Sequence, residues 1–361
     1  MSTEHNSPTI RYSTEVRDGQ GHRYGTLSVV ENNIVGQGAY KTITGVSHNF
    51  TPLGQEKTAF LGVSGFPVTV SSRKASGIME KIRAFRSFNS ERRWMKAFGQ
   101  SVRDRSQSPD PFLHQIEAVS SGSSEYQLRG IAFAQSLEDV ISTMTTSGEL
   151  LSDETRRFML LYSIAKATKA LEDFHSTHLL MGWNKEKVLT HQDVGQYGHL
   201  DNILLPGRGG YAVVIDYGLV EAKPDNPETR AEQANERKIF ANTVIQRLFE
   251  LGIQNLFPQE LLSVLYQGQF QFFTADTLGK YATAELRGIL SRSNETPTSA
   301  LERMNSRFFV ALLHNRILAD TGVSLNAVGL EALVRQIDQS YDVDESPTRQ
   351  LDVKQLLGPV E

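Results

Sequence analysis

Thr190–Val220, THQDVGQYGHLDNILLPGRGGYAVVIDYGLV, constrains the fold more than any other stretch of the chain. Two short apolar runs, Asn202–Leu205 and Tyr211–Ile215, flank Pro206-Gly207-Arg208-Gly209-Gly210, which reads as the turn between paired strands. Asp193 precedes the first run, Asn202 opens it, and Asp216 follows the second. A carboxylate, an amide and a second carboxylate are thus carried to the ends of two neighbouring strands. Hard Mg²⁺ takes oxygen ligands of this kind together with phosphate oxygens. The pattern predicts a site where a metal, a polyphosphate and a base meet.

The rest of the chain predicts an α+β protein in two parts with a cleft between them. Residues 1–23 are polar and read as disordered, residues 24–133 as β-rich, and residues 134–361 as α-helical with a helical C-terminal extension. In the β-rich part, Leu27–Val30, Thr42–Thr44 and Thr58–Val63 read as strands, and Asn49–Gln55 as a turn. Arg73–Phe98 has apolar residues at helical spacing, and His114–Val119 and Tyr126–Phe133 form a strand pair around SSGSS. Beyond it, Leu137–Met144 reads as a short helix and Asp153–His175 as the clearest one. Phe158, Leu161, Ile164, Leu171 and Phe174 line one face of the latter, and Asp153 and Glu154 complement its dipole. Lys238–Leu251 is a further helix, and Leu261–Leu351 holds several more.

Composition removes whole classes of chemistry. The chain has no cysteine, which excludes disulfides, thiolate nucleophiles and cysteine–zinc sites. Its net charge of −4 gives no reason to expect a nucleic-acid partner. No apolar run is long enough to predict a membrane span. The start, MSTEHNSPTIRYSTEVRDGQGHR, lacks the apolar core of a secretory signal. It is similar to the Ser/Thr-rich export segments of bacterial effectors, so the expected location is cytoplasmic, or secreted into a host cell without a cleaved signal.

Gly36-Gln37-Gly38-Ala39-Tyr40 lies between two expected strands, not between a strand and a helix. That context disfavours a dinucleotide or Walker-type loop and suits a glycine hairpin laid over phosphates. Together, His191-Gln192-Asp193, Asn202-Ile203-Leu204-Leu205, an apolar strand and Asp216-Tyr217-Gly218 resemble the catalytic loop and metal-binding motif of protein kinases. The resemblance covers about residues 25–255 and implies a bilobal protein-kinase-like fold, with a β-rich N-lobe and an α-helical C-lobe. It implies ATP and Mg²⁺ as cofactors. Gly36 and Gly38 would cover the phosphates, Asn202 and Asp216 would hold the metal, and Asp193 would orient the attacking hydroxyl. His191 would serve packing and hydrogen bonding. The usual lysine position on the third strand holds Leu61, but Lys41 follows the glycine loop, which is similar to the with-no-lysine kinases. Lys41 would then grip the phosphates, with Lys57 and Lys74 as alternatives. Its carboxylate partner would be Glu91, or Glu80 one helical segment earlier.

The departures from the family bear on the acceptor. The family's five-residue step from catalytic Asp to metal Asn is nine residues here, so the loop VGQYGHL is enlarged. Asp201 is the alternative base, and alternation along an extended chain would point it away from the side that Asn202 faces. The arginine that usually precedes the catalytic Asp, and pairs with a phosphorylated loop, is Gln192; the lysine two positions after that Asp is Gly195. The expected function is a Ser/Thr protein kinase acting as a bacterial effector on a host protein. Alternatives are a pseudokinase-like binding module, or a kinase-fold enzyme that transfers AMP or phosphorylates a small molecule.

Overall fold

The structure, a computed structural model, describes residues 9–37, 42–60, 69–74, 79, 117–121, 125–130, 135–146, 151–181, 185–205, 212–214, 220–257, 274–292 and 296–339. The protein is α+β and divides into two compact units. Unit 1 comprises Met1–Arg92, Pro111–Ala134 and Leu312–Val343; unit 2 comprises Arg93–Asp110, Gln135–Ala311 and Asp344–Glu361.

Unit 1 is built on an antiparallel sheet. Its strands are β1 (Thr9–Arg17), β2 (Arg23–Gln37), β3 (Thr42–Pro52), β4 (Ala59–Phe60), β5 (Thr69–Lys74), β6 (Glu117–Ser121) and β7 (Glu125–Gly130). They lie in the order β1-β2-β3-β5-β7-β6, with β4 also on β3. Strand β1 occupies a stretch whose polar composition predicts disorder. Its alternation explains the difference: Val16 is fully buried while Glu15 and Arg17 face water, and a chain that buries one face can pair. Strand β2 continues through Asn32-Asn33, with register shifts against β3 between Val30 and Asn33 and between Ile34 and Gly36. Strand β3 continues into the expected turn at Asn49, because Phe50 is fully buried and holds its register opposite Leu27. Arg73 and Lys74, expected to begin a helix, end β5 opposite Tyr126 and Glu125.

Unit 2 centres on one helix. Its described helices are α1 (Leu137–Thr146), α2 (Asp153–His175), α3 (Pro227–Glu250) and α4 (Ala275–Ser291). Helix α5 (Pro297–Thr321) has residues in both units, and α6 (Ala327–Gln339) belongs to unit 1, where it packs on β1. Helix α2 starts at Ser152, whose hydroxyl accepts from the Thr155 N–H, and carries Asp153 and Glu154 in its first turn. Its expected single apolar face is an underestimate: Phe158–Thr168 is buried all round, as befits a helix surrounded by protein. Lys166 is accommodated there by donating to the Tyr162 hydroxyl at 2.9 Å, with its ammonium 4.7 Å from the Tyr162 ring centre.

Two small sheets complete unit 2. Strands β9 (His178–Met181), β10 (Lys185–His191) and β13 (Val220–Pro224) form one, ordered β13-β10-β9. Strands β8 (Gln135–Ser136), β11 (Ile203–Leu205) and β12 (Val213–Val214) form the other, with Ile203 opposite Val214 as the sequence pattern predicts. Helix α3 begins at Pro227, eleven residues before the apolar stripe that announces it. Asn226 caps it by accepting from the Thr229 N–H at 2.8 Å, and Pro227 fills a first-turn position that needs no N–H. Among the described residues, no helix is long and apolar enough to cross a membrane.

Candidate active site

Strand β10 delivers its last residue, His191, into the interior of unit 2. The imidazole is fully buried, 5.8 Å from the Phe174 ring centre, so the packing role expected for it holds. From Gln192 the backbone turns into a π-helical segment, Asp193–Tyr197. Gly198 follows at φ 64°, ψ 31°, and its N–H returns to the Asp193 carbonyl. A 3₁₀ turn, Leu200–Asn202, then leads into β11.

This route folds the nine-residue step from Asp193 to Asn202 inward. Val194 is fully buried and Leu200 nearly so, which turns the loop toward α3. Two glycines permit the approach. A Cβ on Gly195 would lie 2.8 Å from Glu236 Cδ and 2.9 Å from its Oε1, and one on Gly198 would lie 3.0 Å from Thr243 Cβ. Gly198 also needs the left-handed backbone that other residues adopt at a cost.

The excursion brings the loop's ends together. Asn202 Nδ2 donates to Asp193 Oδ2 at 3.4 Å, and both side chains are partly exposed. At that length the bond is weak, so it fixes direction more than it adds stability. With its NH₂ toward a carboxylate, the Asn202 amide keeps its oxygen available for a cation. Asp201 is directed elsewhere: its Oδ1 accepts from the Ser136 hydroxyl at 3.0 Å. Ser136 in turn caps α1, its hydroxyl accepting from the Asp139 N–H while its own N–H donates to Asp139, each at 3.1 Å.

Behind the loop lies a buried polar cluster that the sequence reading missed. Glu236 Oε1 accepts from the His191 N–H at 2.9 Å, and its Oε2 lies 2.6 Å from His175 Nε2. Gln233 Nε2 donates to the Leu189 carbonyl at 2.7 Å and to the His175 carbonyl at 3.0 Å. Arg237 Nη1 sits 3.2 Å from His175 Nδ1. A guanidinium can only donate, so Nδ1 is the acceptor, and the imidazole proton rests on Nε2, facing Glu236. Burial holds His175 well below its ordinary range, at about 3, helped by the Arg237 charge. Burial also pushes Glu236 up to about 8, against the lowering effect of the His191 N–H.

The signal for this cluster was present but unread. Extending the α3 stripe back from Phe240 gives Glu236, Gln233 and Thr229, polar residues at positions a helix normally fills with apolar ones. All three are buried.

The other expected site residues fall outside this assembly. Gly36 lies in β2 opposite Ile43, and the β2–β3 ladder is last paired at Gln37 and Thr42, which gives Gly36 the expected hairpin context. Lys74 ends β5 opposite Glu125, and Lys57 is exposed. Gly38, Lys41, Glu80, Glu91 and Asp216 lie outside the described residues. Among the described residues, no three His, Cys, Asp or Glu side chains gather as a metal site. No known protein family matches the chain, and neither does any curated protein.

Proposed function

We propose that the protein is an ATP- and Mg²⁺-dependent phosphotransferase with a bilobal protein-kinase-like fold, acting on Ser/Thr hydroxyls of a protein as a bacterial effector. The observation that carries the reading is the return of Asn202 to within 3.4 Å of Asp193 across an enlarged loop. A loop that served only as a connection would have no need to bring an amide back to a partly exposed carboxylate. The hold of Gln233 and Glu236 on the end of β10, the strand that leads into that loop, supports the same reading.

In this reading Asp193 accepts a hydrogen bond from the acceptor hydroxyl, aims its oxygen at the γ-phosphorus, and takes its proton as the new P–O bond forms and the bond from the γ-phosphorus to the bridging oxygen breaks, releasing ADP. The Asn202 N–H occupies Oδ2, which leaves the other Asp193 oxygen for the acceptor. The donor set fits a hard cation, since Asn202 offers an amide oxygen and Asp216 would add a carboxylate. Bound Mg²⁺ would neutralise phosphate charge. Lys41, held by Glu91, would grip the phosphates beneath Gly36 and Gly38.

The test is incorporation of label from γ-labelled against α-labelled ATP, with wild-type and Asp216→Ala protein. Label is expected from the γ position only, and is expected to disappear in Asp216→Ala. Label from the α position would mean nucleotidyl transfer, and label from neither would leave a binding module; either result overturns the proposal.

A further inference from the structure

Helix α3 holds the residues before Asp193 at three places. Gln233 binds the Leu189 carbonyl and Glu236 the His191 N–H, both in the interior. The third hold is different in kind, because it runs outside and is made of charges. Gln192 Nε2 donates to Glu221 Oε1 at 2.8 Å. The other oxygen of Glu221 lies 3.0 Å from Lys223 Nζ, and that ammonium donates to both oxygens of Glu232, at 2.6 and 2.8 Å. Glu232 stands one helical turn before Glu236, so the outer chain and the inner bond leave neighbouring positions of one helix. Pairing of β13 with β10, His191 opposite Val220 and Thr190 opposite Glu221, sets Glu221 beside Gln192.

We propose that Gln192, Glu221, Lys223 and Glu232 are positioning residues, a charge relay that fixes the direction in which Asp193 leaves β10 and that ionic strength can loosen. This deepens the phosphotransferase reading and rests on it for the role of Asp193. The linked groups are between about one third and one half exposed: Lys223 31%, Glu232 39%, Glu221 46%. Exposed pairs contribute little to global stability and are screened by salt. Their effect is therefore directional, felt at the one residue beyond Gln192. Lys223 is the hub, since its charge keeps two carboxylates together; the contact with Glu232 raises its own proton affinity. Without that charge the carboxylates repel, and Glu221 is drawn off Gln192.

The experiment compares wild type with Lys223→Met, Lys223→Arg and Glu221→Gln by peptide-level amide exchange over residues 190–198, with residues 158–171 of α2 as reference. Expected is an increase of about fivefold in exchange over 190–198 for Lys223→Met and Glu221→Gln, with α2 unchanged and Lys223→Arg close to wild type. Raising salt from about 0.1 M to about 1 M, which shortens the screening length from about 10 Å to about 3 Å, is expected to move wild type toward Lys223→Met and leave that variant unchanged. In phosphate transfer, Lys223→Met is expected to lose about tenfold in kcat at constant KM for ATP. Unchanged exchange over 190–198, or an increase that spreads equally through α2, overturns the relay. A wild-type protein that transfers no phosphate defeats the phosphotransferase reading instead, while the exchange data still decide the relay.

Discussion

Thr243 stands where a side chain on Gly198 would begin, with its Cβ 3.0 Å from the position of that first carbon. The left-handed turn at Gly198 and the face of α3 are therefore one fitted unit, and the return of Asn202 to Asp193 depends on it. Gly198→Ala meets both a backbone penalty and a collision, and is expected to cost about 1–3 kcal/mol. Adding Thr243→Ala removes Oγ1, the atom a new side chain would meet first, and leaves the backbone term and the Cβ approach. Urea unfolding of the two single variants and the double variant is expected to show a favourable coupling of at least about 0.5 kcal/mol. Strict additivity would mean that the two residues do not share the space.

The buried pair predicts an unusual dependence of stability on pH. The folded-state pKa of Glu236, about 8, lies above the ordinary value of 4.5, so its favourable contribution is complete below pH 4.5 and is lost as pH rises through 8. His175 works in the opposite sense: its pKa falls from 6.5 to about 3, so its contribution is complete above pH 6.5 and is lost on acidification toward 3. Between pH 6.5 and 8 the Glu236 contribution dominates the change, since the His175 contribution is nearly complete there. Wild type is expected to lose about 2 kcal/mol across that window, while Glu236→Gln stays level. Urea midpoints at the two ends decide it, and parallel slopes for both proteins would refute the assignment.

Asp193 and Asp201 separate activity from architecture. Asp193→Asn is expected to lower phosphate transfer about 10²–10⁴-fold with the unfolding midpoint unchanged. Asp201→Asn leaves transfer within about twofold and loosens only the Ser136 contact at the start of α1, a hydrogen bond to an exposed carboxylate worth about 1 kcal/mol. A radiolabel assay beside a urea melt reads both quantities. Reversal of the two outcomes would make Asp201 the base.

The cap of α3 gives a further check on how the site is held. Asn226→Ala removes the acceptor for the Thr229 N–H and is expected to cost about 1 kcal/mol. Because α3 carries Glu232, Gln233 and Glu236 in its first half, amide exchange at His191 is expected to rise with that loss. Exchange confined to the first turn of α3 would show that the cap and the loop are independent.

Long periodic segments were legible in the sequence, and short or polar ones were not. Helix α2 matches its expected bounds because its cap and acidic first turn are local signals. The pairing of β11 with β12 was legible because Pro206–Gly210 lies between two apolar runs. The start of α3 was missed because Pro227–Arg237 is polar, although Asn226 and Pro227 are a readable cap and first-turn pair. Strand β9 gave too little pattern in four residues. At the site, the meeting of Asp193 with Asn202 could be expected from the motif, but the inward path between them could not. That path is set by Glu236 and Thr243, more than thirty residues downstream, through contacts no local pattern encodes.

Helix α6 lies against β1, and the Tyr24 ring lies over Gly329, so an early strand and a late helix of the sequence complete the same unit. On a ribosome these partners emerge some three hundred residues apart. The β-sheet of unit 1 must then wait, with one flank uncovered, until synthesis has passed through most of unit 2. Unit 1 therefore pays the chain-entropy cost of a closure far apart in sequence, the kind of pairing that slows folding.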